Sequence, residues 1–260
     1  METNTLLFEK TGAVARLTLN RPQARNAVNG DLCRRLQECL TEVERDDRVK
    51  AVVLAGKGPI FSAGGDLNSI EKMCDDSAGR NYVSLTETFG AVEQLYNCSK
   101  PTISAVHGAV VGGACGLVAA CDFVYAEETT RFIFPFLDLG IIPDMCVMFV
   151  LTQRVGLQAA RRLLLQVQTI TAGEASNLGL VDHLSAEGKL MDEALTAAEN
   201  LAKRSGPAMA FTKSHLNRIG RLSFAESMQQ EVLQQSLLWT TPEVKQRARE
   251  MLQQLATKKK

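Results

Sequence analysis

The sequence predicts an α/β core over residues 1–200 followed by an all-helical region over residues 201–260. Three observations carry this. Segments of strand character alternate with segments of helical spacing to about residue 185. Short runs such as Ala51–Ala55 and Pro101–Val106 are apolar without alternation, the mark of strands buried on both faces. From Met191 onward only helical periodicity remains.

The elements follow in order. Leu6–Lys10 and Val14–Asn20 alternate as strands, with Thr11-Gly12 as the hairpin turn and Arg21-Pro22-Gln23 as the stop. Asn29 reads as the N-cap of a helix reaching roughly Asp46, with Leu32, Leu36, Leu40 and Val43 on one face. Gly58-Pro59 turns the chain after the strand at 51–55. Phe61–Leu67 is a small-residue loop into a helix, and Tyr82–Asn97 is a second long helix. His107-Gly108 ends the strand at 101–106, and Val111–Ala120 reads as a helix of small residues. Phe123–Ala126 and Arg131–Phe134 read as strands, Leu157–Leu165 as a helix, and Thr171–Gly179 as a capped short helix before a strand at Leu180–His183. Pro207 and Pro242 mark new helix starts, and Leu201–Ile219 and Phe224–Leu238 are amphipathic.

Composition narrows the function classes. Lysine plus arginine and aspartate plus glutamate both number 29, so no global field draws nucleic acid or an anionic membrane. No apolar run reaches the 18 or so residues of a membrane span. The N-terminus lacks the basic and apolar segments of a secretory signal, and the Lys258-Lys259-Lys260 end is no peroxisomal address, so a cytoplasmic protein is expected. The seven cysteines are odd in number and form no CxxC pair, which argues against a disulfide framework and a metal site.

Three segments carry chemistry. Ser62-Ala63-Gly64-Gly65-Asp66 is either a tight strand-to-helix turn or a loop that aims backbone N–H groups at negative charge. Gly108–Gly116, with Gly112-Gly113 at its centre, serves either close helix packing or the same presentation of donors. It is no Walker loop, because no Lys-Ser or Lys-Thr follows. Together the two loops can offer one N–H apiece to a single oxygen, the construction of an oxyanion hole. The third segment, Phe134–Met145, places Asp144 between apolar neighbours just after Pro143. Asp144 is either an N-cap for the next helix or an acid/base group whose pKa is raised by burial.

In order along nearly the whole chain, Leu17-Thr18-Leu19-Asn20-Arg21-Pro22, Asn26-Ala27, Phe61–Leu67, Lys100-Pro101, Ala105-Val106-His107-Gly108, Gly112-Gly113, Cys121-Asp122, Leu139–Pro143 and Thr171–Val181 resemble the crotonase (enoyl-CoA hydratase/isomerase) superfamily. The resemblance implies a spiral of ββα units with a helical C-terminal trimerisation region, assembled as a homotrimer or dimer of trimers. It implies an acyl-CoA substrate and no further cofactor or metal. Ala24, Arg25 and Ala27 would form the coenzyme A loop. Ala63, Gly64, Gly65, Asp66 and Leu67 would run along the pantetheine, and the N–H groups of Gly65 and Gly113 would be the oxyanion donors.

The resemblance also frames the reaction. Hydratases of the family carry glutamates where this chain has Gly116 and Phe136, so water addition is not expected. The stretch from Phe136 to Asp144 is similar to that of phenylacetate-pathway enoyl-CoA isomerases, which use the aspartate after the proline as acid and base. That implies a Δ3–Δ2 enoyl-CoA isomerase with Asp144 as proton shuttle and Phe136 in the substrate pocket. Cys146 and Val147 stand where those isomerases have glycines. Asp138 is expected to face solvent and His107 to be a hydrogen-bonded structural residue. Rival readings are an enoyl-CoA hydratase, a dehalogenase, a decarboxylase or hydrolase of thioesters, and a coenzyme A-binding subunit without catalysis.

Overall fold

In the computed structural model, described over residues 5–257, the hairpin at the start of the chain is β1 (Leu6–Thr11) and β2 (Val14–Leu19). Asn29 caps α1 (Gly30–Arg45) as expected: its side-chain oxygen accepts the Leu32 N–H at 3.0 Å. β3 (Ala51–Gly56) follows, then α2 (Leu67–Cys74) and α3 (Ala78–Asn97). α3 starts earlier than the apolar spacing implies because Ser77 caps it, accepting from Arg80 N. β4 (Thr102–Val106), β5 (Ala109–Val111) and α4 (Ala114–Ala120) come next, followed by β6 (Phe123–Glu127), β7 (Arg131–Ile133) and α5 (Val147–Leu165). Gly156, at φ 76° and ψ 160°, interrupts α5, so the expected helix at Leu157 is its second segment. β8 (Thr169–Thr171), α6 (Ala172–Asn177), β9 (His183–Ser185) and α7 (Leu190–Ala202) complete this part. The strand-strand-helix succession recurs as β1-β2-α1, β4-β5-α4 and β6-β7-α5.

Six strands form one sheet in the order β1-β2-β3-β4-β6-β9, parallel except for the β1–β2 hairpin. The strict two-residue period divides β3 between two cores. Val52 and Leu54 face a large cluster built with α1, α3, α4 and α5, while Ala51, Val53 and Ala55 pack with Leu190, Ala194 and Ala198 of α7. Both faces are therefore covered, which is why the run Ala51–Ala55 is continuously apolar. A smaller sheet, β5-β7-β8, stands apart from it.

Two expectations need correction. Val111 does not open a helix: Ala109–Val111 pairs in parallel with Arg131–Ile133, and the helix begins only at Ala114. Leu180–His183 is not the strand. Leu180 N and Val181 N bond back to Ala175 O and close α6, and pairing with Tyr125–Glu127 starts at His183.

The described residues divide between two compact units that part between Ala202 and Lys203. The second unit is helical, with α8 (Gly206–Leu216), α9 (Phe224–Trp239) and α10 (Pro242–Thr257). Pro207 and Pro242 stand in the first turns of α8 and α10, so the amphipathic run from Leu201 is broken between Ala202 and Gly206. Among the described residues no helix is long and apolar enough to cross a membrane.

The loop after β2 is knotted to the loop after β3 by one buried side chain. Asn26, at φ 54°, accepts the Arg21 N–H at 2.9 Å. Its amide nitrogen donates to the carbonyls of Lys57 (2.8 Å), Ile60 (3.2 Å) and Phe61 (3.0 Å). Asn26→Ala removes the partner of all four groups at once, so unfolding in urea should show a loss of about 2–4 kcal/mol, with the midpoint lowered and the slope unchanged. A loss below about 1 kcal/mol would mean that water replaces the side chain at no net cost.

Candidate active site

Three loops meet beside the knot. Ser62 Oγ donates to Asn26 O at 2.7 Å, and Ala63 N to Arg25 O at 2.9 Å. Val28 N donates to Gly64 O at 2.7 Å, and Asp66 N returns to Val28 O at 2.9 Å. The second of these loops is laced to the third by Phe61 N to His107 O (2.9 Å), Ser62 N to Ala109 O (3.1 Å) and Val111 N to Ser62 O (3.1 Å). Gly64, at φ 86°, has no room for a side chain: a Cβ there would lie 2.8 Å from the Val111 carbonyl oxygen. Glycine at 64 is thus required both by its φ and by the close approach of two backbones. His107 is the structural residue expected, with Nε2 2.7 Å from Gly58 O.

A cavity of about 240 Å³ opens beside these loops. Gly65, Asp66, Gly113 and Asp144 all line it. The backbone amides of Gly65 and Gly113 donate to no protein acceptor among the described residues, so two free N–H groups stand on its wall. Asp66 is spent on structure. Its Oδ1 caps α2 by accepting Asn68 N at 3.1 Å, and its Oδ2 accepts from Arg21 at 2.9 Å. Burial pushes its pKa up, but the Arg21 guanidinium and the amide donors outweigh this and hold it below the ordinary carboxylate range.

Asp144 is the opposite case. Its Oδ1 is buried without a hydrogen-bond partner among the described residues. A Cβ placed on Gly113 would lie 2.8 Å from that oxygen, so the carboxylate packs against the side-chain face of Gly113, the residue that carries one of the two free amides. Desolvation holds its pKa above the ordinary value, its own backbone amide opposing only in part. Asp144 does not cap α5. Cys146 takes that position with no side-chain cap, and the Asp144 main-chain carbonyl accepts Val147 N at 2.9 Å. The carboxylate is also felt by Cys33 on α1, whose thiol is pushed up to about 12 by burial first and by Asp144 second.

The turn after Asp144 is strained. Met145 and Cys146 both adopt left-handed backbone, at φ 48° and 57°. For non-glycine residues this costs roughly 1–2 kcal/mol each, and such outliers persist where their surroundings over-determine them. Cys146 lies in no nucleophilic setting: burial, and secondarily Glu93, raise its thiol pKa. Asp138 is exposed, as expected.

Ala24, Arg25, Ala27, Ala63 and Gly64 stand on the laced loops and Leu67 opens α2, all adjoining the cavity rather than in its lining, with Arg25 and Leu67 exposed. Phe136 stands behind the second glycine loop. It is 3% exposed, belongs to the core, and sets its ring 3.8 Å from where a Cβ on Gly112 would be. It supports the second glycine loop from behind and does not line the cavity. The residues missed from sequence are Ile70 and Met73 of α2, Leu85, Thr88 and Phe89 of α3, and Met145. Their one signal is apolar spacing at three and four residues on two helices that leave those positions out of the fully buried core. No cluster of metal-binding side chains occurs among the described residues.

Chemically, this arrangement can hold a developing negative charge on one oxygen and move a proton beside it.

The family model for enoyl-CoA hydratase/isomerase matches residues 9–260. A probable enoyl-CoA hydratase of Rhizobium meliloti is 40% identical over 233 residues, 89% of this chain and 88% of that protein. A trans-2-decenoyl-[acyl-carrier-protein] isomerase of Streptococcus mutans is 31% identical over 182 residues, 70% of this chain and 69% of that protein. The crystal structure of an enoyl-CoA hydratase/isomerase from Marinobacter aquaeolei matches with a TM-score of 0.90 and 31% identity, covering 97% of each chain.

A carboxylate held above its ordinary pKa lowers stability: the cost is absent below the unfolded-state pKa and fully present above the folded-state one. Asp144→Asn should therefore raise Tm at pH 7, and the gain should shrink as pH falls through the carboxylate range. Calorimetric scans of both proteins from pH 4 to pH 7 measure this, and an equal or lower Tm for the variant at pH 7 would contradict the desolvation of Asp144.

Proposed function

The chain belongs to the enoyl-CoA hydratase/isomerase (crotonase) family, and within it we propose that this protein is a Δ3–Δ2 enoyl-CoA isomerase with Asp144 as its single proton shuttle. The observation that carries this reading is the partnerless, buried Asp144 Oδ1 lying against Gly113 on the cavity wall. The other acids of the lining, Asp66 and Asp76, are paired with Arg21 and Arg80.

In this reading the acyl-CoA substrate runs along Ala24, Arg25 and Ala27 and along Ala63 to Leu67. Its thioester oxygen accepts from the Gly65 and Gly113 amides. Charge moving onto that oxygen lowers the cost of ionising C2, each such donor being worth about 3–4 kcal/mol in the transition state. Ionised Asp144 takes the C2 proton of the 3-enoyl thioester, giving a neutral acid and a dienolate. The acid then returns the same proton to C4, which leaves the 2-enoyl thioester and the carboxylate regenerated. One carboxylate is enough, because no water is consumed. Coenzyme A is part of the substrate and no further cofactor enters.

Relatives named as enoyl-CoA hydratases favour a second reading, water addition to a 2-enoyl-CoA. That chemistry needs a positioned water and a second acid, and Gly116 and Phe136 supply neither. For assembly, the exposure of Phe224 (85%), Leu233 (62%) and Trp239 (60%) on α9 supports a homotrimer or dimer of trimers built through the C-terminal helices.

The direct test follows conjugation of a 3-enoyl-CoA by ultraviolet absorbance beside a 2-enoyl-CoA hydration control. Isomerisation without hydration is expected, with kcat falling about 10²–10⁴-fold in Asp144→Asn while a saturated acyl-CoA still binds. Wild-type turnover in the variant, or hydration as the faster reaction, would overturn the proposal.

A further inference from the structure

Helix α4 carries glycine at 116, within its first turn, and Gly113 immediately precedes it. Both face the turn that follows Asp144. A Cβ on Gly113 would lie 2.7 Å from Met145 Cγ and 3.4 Å from Met145 Cβ. A Cβ on Gly116 would coincide with the Met145 carbonyl oxygen's contact envelope, with the carbonyl carbon at 3.0 Å and Met145 Cβ at 3.1 Å. The obstruction is backbone, which cannot swing aside as a flexible side chain can. Met145 itself is 3% exposed and part of the main core. Its left-handed conformation is secured from the far side, where Cys146 O accepts Phe149 N (2.9 Å) and Val150 N (3.0 Å).

We propose that Met145 is a positioning residue: its left-handed turn seats in the notch formed by Gly113 and Gly116, fixing the Asp144 carboxylate against Gly113, and glycine at 116 is the condition for that fit. The inference rests on the reading of Asp144 as the proton shuttle. It adds a specificity consequence. Because the turn fills the space of any side chain at 116, α4 cannot bring a second acid to the cavity from that position, and the reaction is confined to one carboxylate. A side chain at 116 must push residues 144–146 outward, so its effect falls chiefly on proton transfer, because coenzyme A binding in this reading uses the Ala24–Ala27 and Ala63–Leu67 loops rather than the Gly113–Gly116 notch.

The test compares Gly116→Ala, Met145→Gly and the double variant. Each is read by kcat and KM for a 3-enoyl-CoA, by calorimetric binding of a saturated acyl-CoA, and by Tm. Gly116→Ala should lose about 100-fold in kcat, the effect of displacing a reacting group by about an ångström, with KM and acyl-CoA affinity little changed. In the Met145→Gly background the same substitution should cost far less, because a glycine turn can rebuild around the methyl group. That non-additivity is the signature of direct contact. Wild-type kcat in Gly116→Ala, or an equal loss in both backgrounds, would overturn the proposal. Should Gly116→Ala fail to fold, recovery of folding in the double variant supports the fit, and failure of both overturns it. Gly116→Glu should show no hydration of a 2-enoyl-CoA, and a folded variant that hydrates would equally refute it. Isomerisation surviving in Asp144→Asn would remove the shuttle reading alone, since the coupling of 116 to 145 in Tm is measured independently of turnover.

Discussion

The site depends on the amide of Asn26. One buried side chain satisfies a backbone N–H and three carbonyls, and so holds the loop after β2 to the loop after β3. Backbone hydrogen bonds then carry the constraint to the His107–Val111 segment, and from there to α4. The two free amides, on Gly65 and Gly113, belong to different loops. Only this lacing makes their relative position a fixed quantity. Donors of this kind act without reorganising when charge develops, and a flexible loop would forfeit that.

Against this rigid frame stands a deliberate misfit. Most buried polar atoms in a folded protein have partners. Asp66 follows the rule and is neutralised by Arg21, whereas Asp144 breaks it a few ångströms from Gly113. The strained Met145–Cys146 turn next to it is a second departure from local preference. Departures that cluster at one cavity, in a fold otherwise consistent with its local propensities, mark where stability has been given up for function.

Much of the fold was legible in the chain because the determining signals are local. Asn29 as N-cap, the continuous apolarity of Ala51–Ala55 and the Thr171 capping box need only a few neighbouring residues. What escaped depends on partners far along the chain. Val110-Val111 becomes a strand only through pairing with Phe132-Ile133, and no local rule distinguishes it from the small-residue helix it precedes. The candidate site divides the same way. Gly65, Gly113 and Asp144 stand out by residue type and position. The setting of Phe136 is not legible in the same way, because a phenylalanine in a loop can point either to a cavity or to the core, and here its ring packs beside Gly112. The role of Gly116 was hidden altogether, since nothing near it in sequence announces that the carbonyl of Met145 takes its side-chain space.

The central claim is that one desolvated carboxylate moves the proton, and the pH dependence of kcat/KM for 3-enoyl-CoA isomerisation tests it most directly. Asp144 must be ionised to take the C2 proton, so activity should be lost as pH falls through its raised pKa. The profile should show a single acid limb centred above the ordinary carboxylate value, and that limb should be absent from the residual rate of Asp144→Asn. A limb at the unperturbed carboxylate value, or one that survives in the variant, would contradict the account.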